Sequence, residues 1–343
     1  MVLLIRESDI AQIDLTPSEV IEAVEDAYRQ DGLGQAEETP RLEIKIKGKH
    51  LPHIAPGTTS VGQGMAYLEG SGVIVVSHAY HFDFHKYISQ ILDPETGETL
   101  AIVKRSRSAL GSRPGKIESG GLRTGAAAAI GVKYMGRERV DSVGVIGTGR
   151  IGRASLACVS EVRDFDRVYS YSGRRRDDEF ARVMREMIGV DVEACDGAEE
   201  VVRSSDVLVT ATYAQEPVVR GEWLREGTHI SGMGADGPMK AEMDVEVFRR
   251  ATKVVVDSEK CLSIGEVARS LDADALRREE IWRIGEVVAG AKPGREDDSE
   301  ITIFESDGTH IQSAAIVLLI YRKTEEMGLG VETSEIDSFF VNP

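Results

Sequence analysis

The 343-residue sequence has few cysteines, few aromatic residues and no long apolar run. Its three cysteines, Cys158, Cys195 and Cys261, are odd in number and widely spaced, which excludes a disulfide framework and a cysteine metal motif. This usage is typical of the reducing cytoplasm. No apolar run approaches the roughly 20 residues of a membrane span, and the first residues become charged too soon for a signal peptide.

Excess positive charge is also absent, because the formal net charge is −17. A strongly acidic chain argues against a nucleic-acid partner. We therefore expect a cytoplasmic protein that binds neither nucleic acid nor membranes and whose partner is a small molecule.

A glycine-rich turn in the middle of the chain is the most informative pattern. The apolar run 143–146 predicts a buried strand, and it ends at Gly147-Thr-Gly-Arg-Ile-Gly152, which leads into a helical pattern. A second strand pattern follows at 167–171, which completes the context that a dinucleotide site requires. The three glycines permit the tight turn, the approach of a pyrophosphate and close helix–strand packing. We predict that the phosphates lie at the helix start, on Gly147, Thr148, Gly149, Arg150, Ile151 and Gly152.

Strand and helix patterns alternate after Asp141, which predicts an α/β fold with a doubly wound parallel sheet. We expect its strands at 142–146, 167–172, 190–194, 206–210, 228–232 and 253–257. Other predicted elements are helices over 17–30, from about residue 123 and over 311–327, a half-buried strand at 42–46, and strands at 73–77, 89–92 and 100–103. A hairpin turn is expected at 93–97. The N-terminal third and the last helix are predicted to form a separate domain.

Five segments occur in an order that resembles the ornithine cyclodeaminase/mu-crystallin family. They are Asp-Pro-Glu-Thr-Gly-Glu-Thr-Leu-Ala at 93–101, Leu-Arg-Thr-Gly-Ala at 122–126, the glycine turn at 147–152, the loop 234–242, and Ile-Thr-Ile-Phe with the following serine and glycine at 301–308. The resemblance implies a Rossmann domain, residues 125–308, inserted into a discontinuous α+β domain for substrate binding and dimerisation, residues 1–124 plus 309–343. It also implies a homodimer.

The resemblance implies hydride exchange at the α-carbon of an amino or imino acid, and it assigns roles to three residues. Arg123 and Arg41 would hold the substrate carboxylate, which a guanidinium binds bidentately. Asp236 would face the substrate amine and move its proton. Asp236 also fits a simple turn position, because the sequence Asp-Gly-Pro favours turns.

The chain departs from the family in two places. The lysine that the family carries near the glycines of 69–77 is missing; Lys45 is our candidate substitute, with Lys47 and His78 as alternatives. A basic segment, Lys104–Lys116, is longer than expected and fits a lid, an anion-binding loop or a surface insertion. The histidines at 78, 81 and 85 alternate along a strand without a carboxylate motif, so no metal site is predicted.

The second Rossmann strand lacks the acidic residue that binds the ribose hydroxyls in NAD enzymes. Ser172, Arg174 and Arg175 follow it instead, and arginines suit a 2′-phosphate. We therefore predict NADP, with NAD as the alternative. Further cofactor contacts are expected from Thr210, Ala211, Thr212, Met233, Gly234, Ser306 and Gly308.

These observations predict an NAD(P)-dependent oxidoreductase that interconverts an α-imino acid, or an α-keto acid plus amine, and an α-amino acid. Two alternatives remain open. One is ornithine cyclodeaminase, which converts L-ornithine to L-proline and ammonia and regenerates NAD. The other is a non-catalytic protein that binds a small ligand, as mu-crystallin does.

Overall fold

The computed structural model describes residues 1–46, 60–81, 85–106 and 119–334. The strands are β1 Val2–Ile5, β2 Ala36–Glu38, β3 Leu42–Lys45, β4 Ser60–Leu68, β5 Val73–His81, β6 His85–Leu92, β7 Thr99–Ser106, β8 Ser142–Ile146, β9 Arg167–Tyr171, β10 Asp191–Ala194, β11 Val207–Thr210, β12 His229–Gly232, β13 Lys253–Val256, β14 Ile281–Arg283, β15 Thr302–Glu305 and β16 Val331–Thr333. The α-helices are α1 Glu7–Ile10, α2 Pro17–Gly32, α3 Ser119–Met135, α4 Arg150–Val159, α5 Asp178–Ile188, α6 Ala198–Ser204, α7 Val245–Arg250, α8 Gly265–Asp272, α9 Ile284–Val288 and α10 His310–Glu326.

The chain divides into two compact units. The first comprises Met1–Thr16, Leu33–Gly120 and His310–Pro343, and the second comprises Pro17–Gly32 and Gly121–Thr309. Helix α2 therefore lies in the second unit, whereas the predicted domains place it in the first. The domain boundaries 1–124 with 309–343 and 125–308 remain a prediction.

The second unit contains a parallel sheet in the order β10-β9-β8-β11-β12-β15-β13-β14. Thr210 of β11 pairs with Ile146 on one side and with Gly232 on the other, so the carboxyl ends of these strands lie at one edge. The chain order reverses between β8 and β11, which is where such sheets bind their ligands. The predicted doubly wound parallel sheet is confirmed.

Strand β15 lies between β12 and β13, near the centre of this sheet. Its residues belong to a segment that resembles a family motif, and their pattern predicts no strand there. Only Ile303 and Phe304 of this strand are apolar, and the strand ends with a buried charged residue, Glu305. The segment therefore lacks the apolar pattern that revealed the other strands.

Helix α3 begins at Ser119, four residues before its predicted start near Arg123. A Cβ atom at Gly121 would lie 2.9 Å from the Cβ of Ala154, and one at Gly125 would lie 2.6 Å from the Ala154 carbonyl oxygen. Gly121, which precedes the predicted start, and Gly125 both allow α3 to approach α4 closely. Arg123 consequently stands in the second turn of a helix.

Helix α2 packs on α9 at a site with no room for side chains, because a Cβ at Gly32 would lie 1.9 Å from the carbonyl oxygen of Gly285. The buried Glu25 of α2 accepts hydrogen bonds from Lys133 Nζ at 2.7 Å and from Tyr134 Oη at 2.5 Å. These contacts explain why α2 belongs to the second unit.

The first unit is built on a mostly antiparallel sheet in the order β16-β1-β7-β6-β5-β4-β2, with β3 paired to β4. The predicted turn between β6 and β7 is present: Gly97 has a φ of +74°, and the Asp93 carboxylate accepts the amide of Glu95 at 2.7 Å. Helix α10 covers one face of the sheet. Gly64 permits this contact, because a Cβ there would lie 1.9 Å from the His310 ring.

The other face of this sheet exposes a group of large apolar side chains among polar ones. Leu42 and Ile44 of β3 are 65% and 74% exposed, so the expectation of a half-buried strand at 42–46 is wrong for the isolated chain. Their register on β4 places them on the side of Met65, and the pairing through β5 brings Ile88 of β6 to the same side. We call Leu42, Ile44, Met65 and Ile88 the outer apolar face.

Two further observations concern the whole described chain. None of its helices has both the length and the apolar character needed to cross a bilayer. Cys158, Cys195 and Cys261 are free thiols in buried positions.

Candidate functional site

The glycine turn after β8 has three different roles for its three glycines. Gly147 has a φ of +106°, and a Cβ there would lie 2.4 Å from the carbonyl oxygen of Ala211. A Cβ at Gly152 would lie 1.9 Å from the carbonyl oxygen of Gly147. Gly149 faces open space, since a Cβ there would meet nothing within 4 Å. The turn is therefore tightly packed on the inside and accessible on the outside.

The open side of this turn is the start of α4, whose cap residue is Gly149. The first amide groups of a helix have no carbonyl partner within it, and they attract anions. The residues concerned are Arg150, Ile151 and Gly152. Gly149 and this helix start fit the pyrophosphate of a dinucleotide.

Thr148 connects the turn to the next helix of the sheet. Its hydroxyl donates to Asp177 Oδ2 at 2.5 Å, and Asp177 caps α5 by accepting the amide of Phe180 at 3.1 Å. Burial acts to raise the pKa of Asp177, but the hydrogen bonds from Thr148 and Phe180 outweigh it and the pKa is lowered. The first acidic side chain after β9 is thus engaged within the protein.

Ser172 shapes the turn that carries the arginines after β9. Its hydroxyl oxygen accepts the amides of Arg174 and Arg175 at 3.2 and 2.9 Å, and it donates to the Arg175 carbonyl at 2.6 Å. Arg176 is paired with Asp178 at 2.8 Å. Arg174 and Arg175 are exposed, and among the described residues neither guanidinium lies within 4.0 Å of a carboxylate.

Glu242 is a buried carboxylate at the ends of β11 and β12. It accepts hydrogen bonds from the Thr210 hydroxyl at 2.8 Å, from the Thr212 amide at 2.5 Å and from the Gly234 amide at 2.8 Å. The adjacent Met233 donates its amide to the Thr210 carbonyl at 2.8 Å. Several of the predicted cofactor residues, Thr210, Ala211, Thr212, Met233 and Gly234, are thereby brought to one edge of the sheet. The fully buried Thr210 hydroxyl is directed at Glu242.

Two more buried glutamates lie near Glu242. The carboxylate of Glu266 accepts the amide of Glu242 at 3.2 Å, and the carboxylate of Glu305 lies against Gly232. Burial, together with the charge of Glu242, raises the pKa of Glu266 to about 8. Burial and the neighbouring carboxylates likewise raise the pKa of Glu305 well above its ordinary value. Sequence reasoning missed Glu266 and Glu305, because no pattern marks a buried acid.

Ser306 and Gly308 follow β15 in a turn that the buried Asp257 holds. Asp257 Oδ2 accepts the Ser306 hydroxyl at 2.5 Å and the Gly308 amide at 3.1 Å. Gly308 has a φ of +85°, and a Cβ there would lie 3.1 Å from a guanidinium nitrogen of Arg123. The structure therefore brings the predicted carboxylate-binding arginine next to the predicted cofactor residue Gly308.

The same turn contains a group of potential metal ligands, since donor atoms of Asp257, Cys261 and Asp307 lie within 4.8 Å of one another. Lys260 forms an ion pair with Asp307, and Ser258 donates to its other oxygen at 2.7 Å. Hydrogen bonds and a lysine thus already satisfy these carboxylates, which favours a structural role for the cluster.

Asp236 lies in the loop that follows β12, and its side chain is 55% exposed. Lys240 forms an ion pair with it, and the Lys240 ammonium stands 4.5 Å from the centre of the Tyr213 ring. The carboxylate therefore lies at the ligand-binding edge of the sheet and is reachable from solvent. Its proton-transfer role remains a prediction.

The remaining predicted substrate residues belong to the first unit. Arg41 immediately precedes β3 and Lys45 ends it, and both are exposed. Lys47 and most of the basic segment, residues 107–116, lie outside the described residues. His78 is half-buried on β5.

Comparison with known proteins identifies the family. The family model for ornithine cyclodeaminase/mu-crystallin proteins matches residues 3–328. An alanine dehydrogenase from Archaeoglobus fulgidus is 31% identical over 335 residues, which cover 96% of this chain and 97% of that protein. The chain therefore belongs to the ornithine cyclodeaminase/mu-crystallin family, as its motifs predict.

Two solved structures share the whole fold. The Thermococcus litoralis Δ1-pyrroline-2-carboxylate reductase, in complex with NADH and L-proline, is 30% identical with a TM-score of 0.80 and covers 96% of this chain and 100% of its own. An archaeal alanine dehydrogenase dimer with bound NAD is also 30% identical, with a TM-score of 0.82, and covers 97% of this chain and 99% of its own.

The buried glutamates predict a pH dependence of stability. Glu266 in the folded protein keeps a proton that the unfolded chain loses above its ordinary pKa of 4.5, so folding takes up a proton between pH 4.5 and about 8. Stability therefore falls as pH rises through this range, by about 1.4 kcal/mol per pH unit for each such proton. We expect Glu266→Gln to flatten the fall in the free energy of unfolding between pH 5.5 and 7.5, measured by urea denaturation.

The exposed Glu222, whose side chain is 67% accessible, offers a matched control. Glu222→Gln is expected to keep the slope of the unchanged protein. Equal slopes for Glu266→Gln and the unchanged protein would show that Glu266 is ionised in the folded state.

Proposed function

We propose that the chain catalyses hydride transfer at the α-carbon of an amino or imino acid, and that net reduction of the imino acid is the favoured reaction. Its family includes proteins named alanine dehydrogenase and Δ1-pyrroline-2-carboxylate reductase. The chain is an NAD(P)-dependent oxidoreductase of this family. The observation that carries the proposal is the open glycine turn at the switch point of the sheet, with Asp236 at the same edge.

The proposed chemistry uses two side chains of the second unit. Arg123 would bind the substrate carboxylate through its guanidinium, beside Gly308. A bound nicotinamide supplies the hydride for the imine carbon, or accepts it from the α-carbon of an amino acid. Asp236 would accept a proton from the substrate amine during oxidation, and its protonated form would return one during reduction. The roles of Arg41 and Lys45 remain predictions.

Net reduction is favoured over the cyclodeaminase reaction for two reasons. The segment 69–77 lacks the lysine that the resemblance assigns to ornithine cyclisation. The predicted preference for NADP also suits a cofactor that is consumed rather than regenerated. Retention of Arg123 and Asp236 argues against a purely ligand-binding protein.

Loss of the Asp236 carboxylate should slow turnover strongly. We expect Asp236→Asn to lower kcat/KM by about 100-fold or more, because general acid–base catalysis contributes factors of this size. The assay follows nicotinamide absorbance with purified protein, pyruvate plus ammonium or Δ1-pyrroline-2-carboxylate, and NADPH or NADH. Asp272→Asn, at an exposed helix end, is the control and should retain full activity.

Two results would contradict this mechanism. Full activity of Asp236→Asn on the substrate that the unchanged protein uses would remove Asp236 from proton transfer. Formation of proline and ammonia from ornithine, with no net change in nicotinamide absorbance, would favour the cyclodeaminase alternative.

We also propose that NADP is the preferred cofactor. The related structures contain NADH or NAD, so the choice depends on this chain's own residues. Arg174 and Arg175 are exposed on a turn that Ser172 holds in shape, directly after β9. Arginines at this place can pair with a 2′-phosphate.

Removing these two arginines should separate the two cofactors. We expect Arg174→Ala with Arg175→Ala to raise the KM for NADPH by about 10-fold or more and to leave the KM for NADH nearly unchanged, since charged hydrogen bonds contribute about 1.5–3 kcal/mol each. Arg176→Ala is the control, because Arg176 is already paired with Asp178. Equal losses for both cofactors would overturn the NADP assignment.

A homodimer is proposed as the assembly. The outer apolar face of the first unit exposes Leu42, Ile44, Met65 and Ile88, and large exposed apolar patches mark interaction sites. A related alanine dehydrogenase, 30% identical to this chain, was solved as a dimer. A second copy of the chain is therefore the occupant that we propose for this face.

The free cysteines agree with the predicted cytoplasmic location.

A charge on this face should weaken the dimer. We expect Ile44→Glu to raise the dimer dissociation constant at least about 10-fold, because burying an unpaired carboxylate is costly. Light scattering coupled to size exclusion, over a range of protein concentrations, measures this constant. Met327→Glu, at the exposed end of the first unit's long helix, is the control. An unchanged dimer in Ile44→Glu would place the interface elsewhere.

A further inference from the structure

We propose that Glu242 is a positioning residue for the reaction, and that its carboxylate holds the dinucleotide-facing ends of β11 and β12 together. The inference rests on the proposed function, because it concerns the same edge of the sheet. Glu242 is fully buried, so we infer that it acts through the groups that it holds.

The hydrogen bonds of Glu242 join two separate strand ends. Oε1 accepts the amide of Thr212 at 2.5 Å, and Oε2 accepts the Thr210 hydroxyl at 2.8 Å and the Gly234 amide at 2.8 Å. Both amides belong to residues just beyond the sheet, where the chain no longer has ladder partners. Buried amides need an acceptor, and here one side chain supplies it for both strands.

The same residue closes the loop that carries Asp236. The Gly234 amide binds the carboxylate of Glu242 at the start of this loop, and Glu242 is itself the residue at its end. The main chain of Glu242 is also held, since its amide donates to Glu266 at 3.2 Å and its carbonyl accepts the amides of Val218 and Val219 at 2.8 and 2.9 Å. The loop 235–241 is therefore held at its start by the side chain of Glu242 and at its end by the main chain of the same residue.

A carboxylate is required here because all three partners are donors. Glutamine has the same shape but only one acceptor oxygen. Its amide group would face either the Thr212 amide or the Gly234 amide, and one of these N–H groups would lose its partner. We therefore expect the end of one of these strands to shift, and the loop of Asp236 and the wall of the cofactor site to shift with it.

Asp206 provides a matched control at the opposite edge of the same sheet. It precedes β11 and accepts the amides of Asp141 and Ser142 at 3.0 and 3.1 Å, and the Ser142 hydroxyl at 3.1 Å. It thus also joins two strands through three donors, but at their amino ends. All three donors bind the same oxygen, Oδ2, which an asparagine would retain, so Asp206→Ala is the variant that reports the general cost of losing such a clamp.

The experiment compares dinucleotide binding in Glu242→Gln and Asp206→Ala. Binding of NADPH and NADH to the full-length protein is followed by the fluorescence of the reduced nicotinamide, and the melting temperature of each variant is recorded. We expect both variants to lose stability. Only Glu242→Gln should raise the Kd of the dinucleotide that the unchanged protein binds, by about tenfold or more, and lower kcat as well.

Thr210→Val gives a second variant in case Glu242→Gln does not fold. It removes the buried hydroxyl that Glu242 accepts and keeps the side-chain shape, so a smaller increase in Kd in the same direction is expected. A Kd unchanged in Glu242→Gln, or equal losses in Glu242→Gln and Asp206→Ala, would overturn the inference while the proposed function stands. Failure of the unchanged protein to bind either dinucleotide would overturn both.

Discussion

The carboxylate of Glu242 is the contact on which the functional edge of this protein depends. Parallel strands satisfy their amides within the sheet, but each strand must leave the sheet at its carboxyl end. Glu242 accepts the freed amides of Thr212 and Gly234 and the hydroxyl of Thr210. The turn at Gly147 packs directly against Ala211, between two of these residues. The glycine turn that we propose for the phosphates and the loop of Asp236 are thus built on the same hydrogen-bonded group.

The fold of the second unit was largely predictable from the sequence. Buried parallel strands are continuous apolar runs, and the glycine turn marks the switch point, so β8 to β13 were predicted nearly to the residue. Strand β15 was missed because Glu305 interrupts its apolar character. The start of α3 was misplaced because glycines that serve packing against Ala154 look like a loop. The exposure of Leu42 and Ile44 depends on which face α10 covers, and alternation alone does not show that.

The site was only partly predictable, for a physical reason. Glycines and arginines leave local signatures in the sequence. The glycines mark a tight turn after a strand, and the arginines directly follow the end of the next strand. Glu266 and Glu305 carry raised pKa values only because tertiary packing buries them beside Glu242. The engagement of Asp177 by Thr148 and of Asp236 by Lys240 likewise arises from neighbours that the folded chain supplies. Motifs therefore predict which backbone faces the cofactor, and the structure adds the acids behind it.

The central claim is that the hydride moves from the reduced nicotinamide to the α-carbon of the imino acid and stays on the amino acid formed. Its most direct test uses NADPH or NADH that carries deuterium at the transferring position, with the imino acid that the purified protein reduces, and mass spectrometry of the amino acid formed. The account predicts one deuterium at the α-carbon and one oxidised nicotinamide per product. Product without deuterium, or formed with no net oxidation of the nicotinamide, would contradict it.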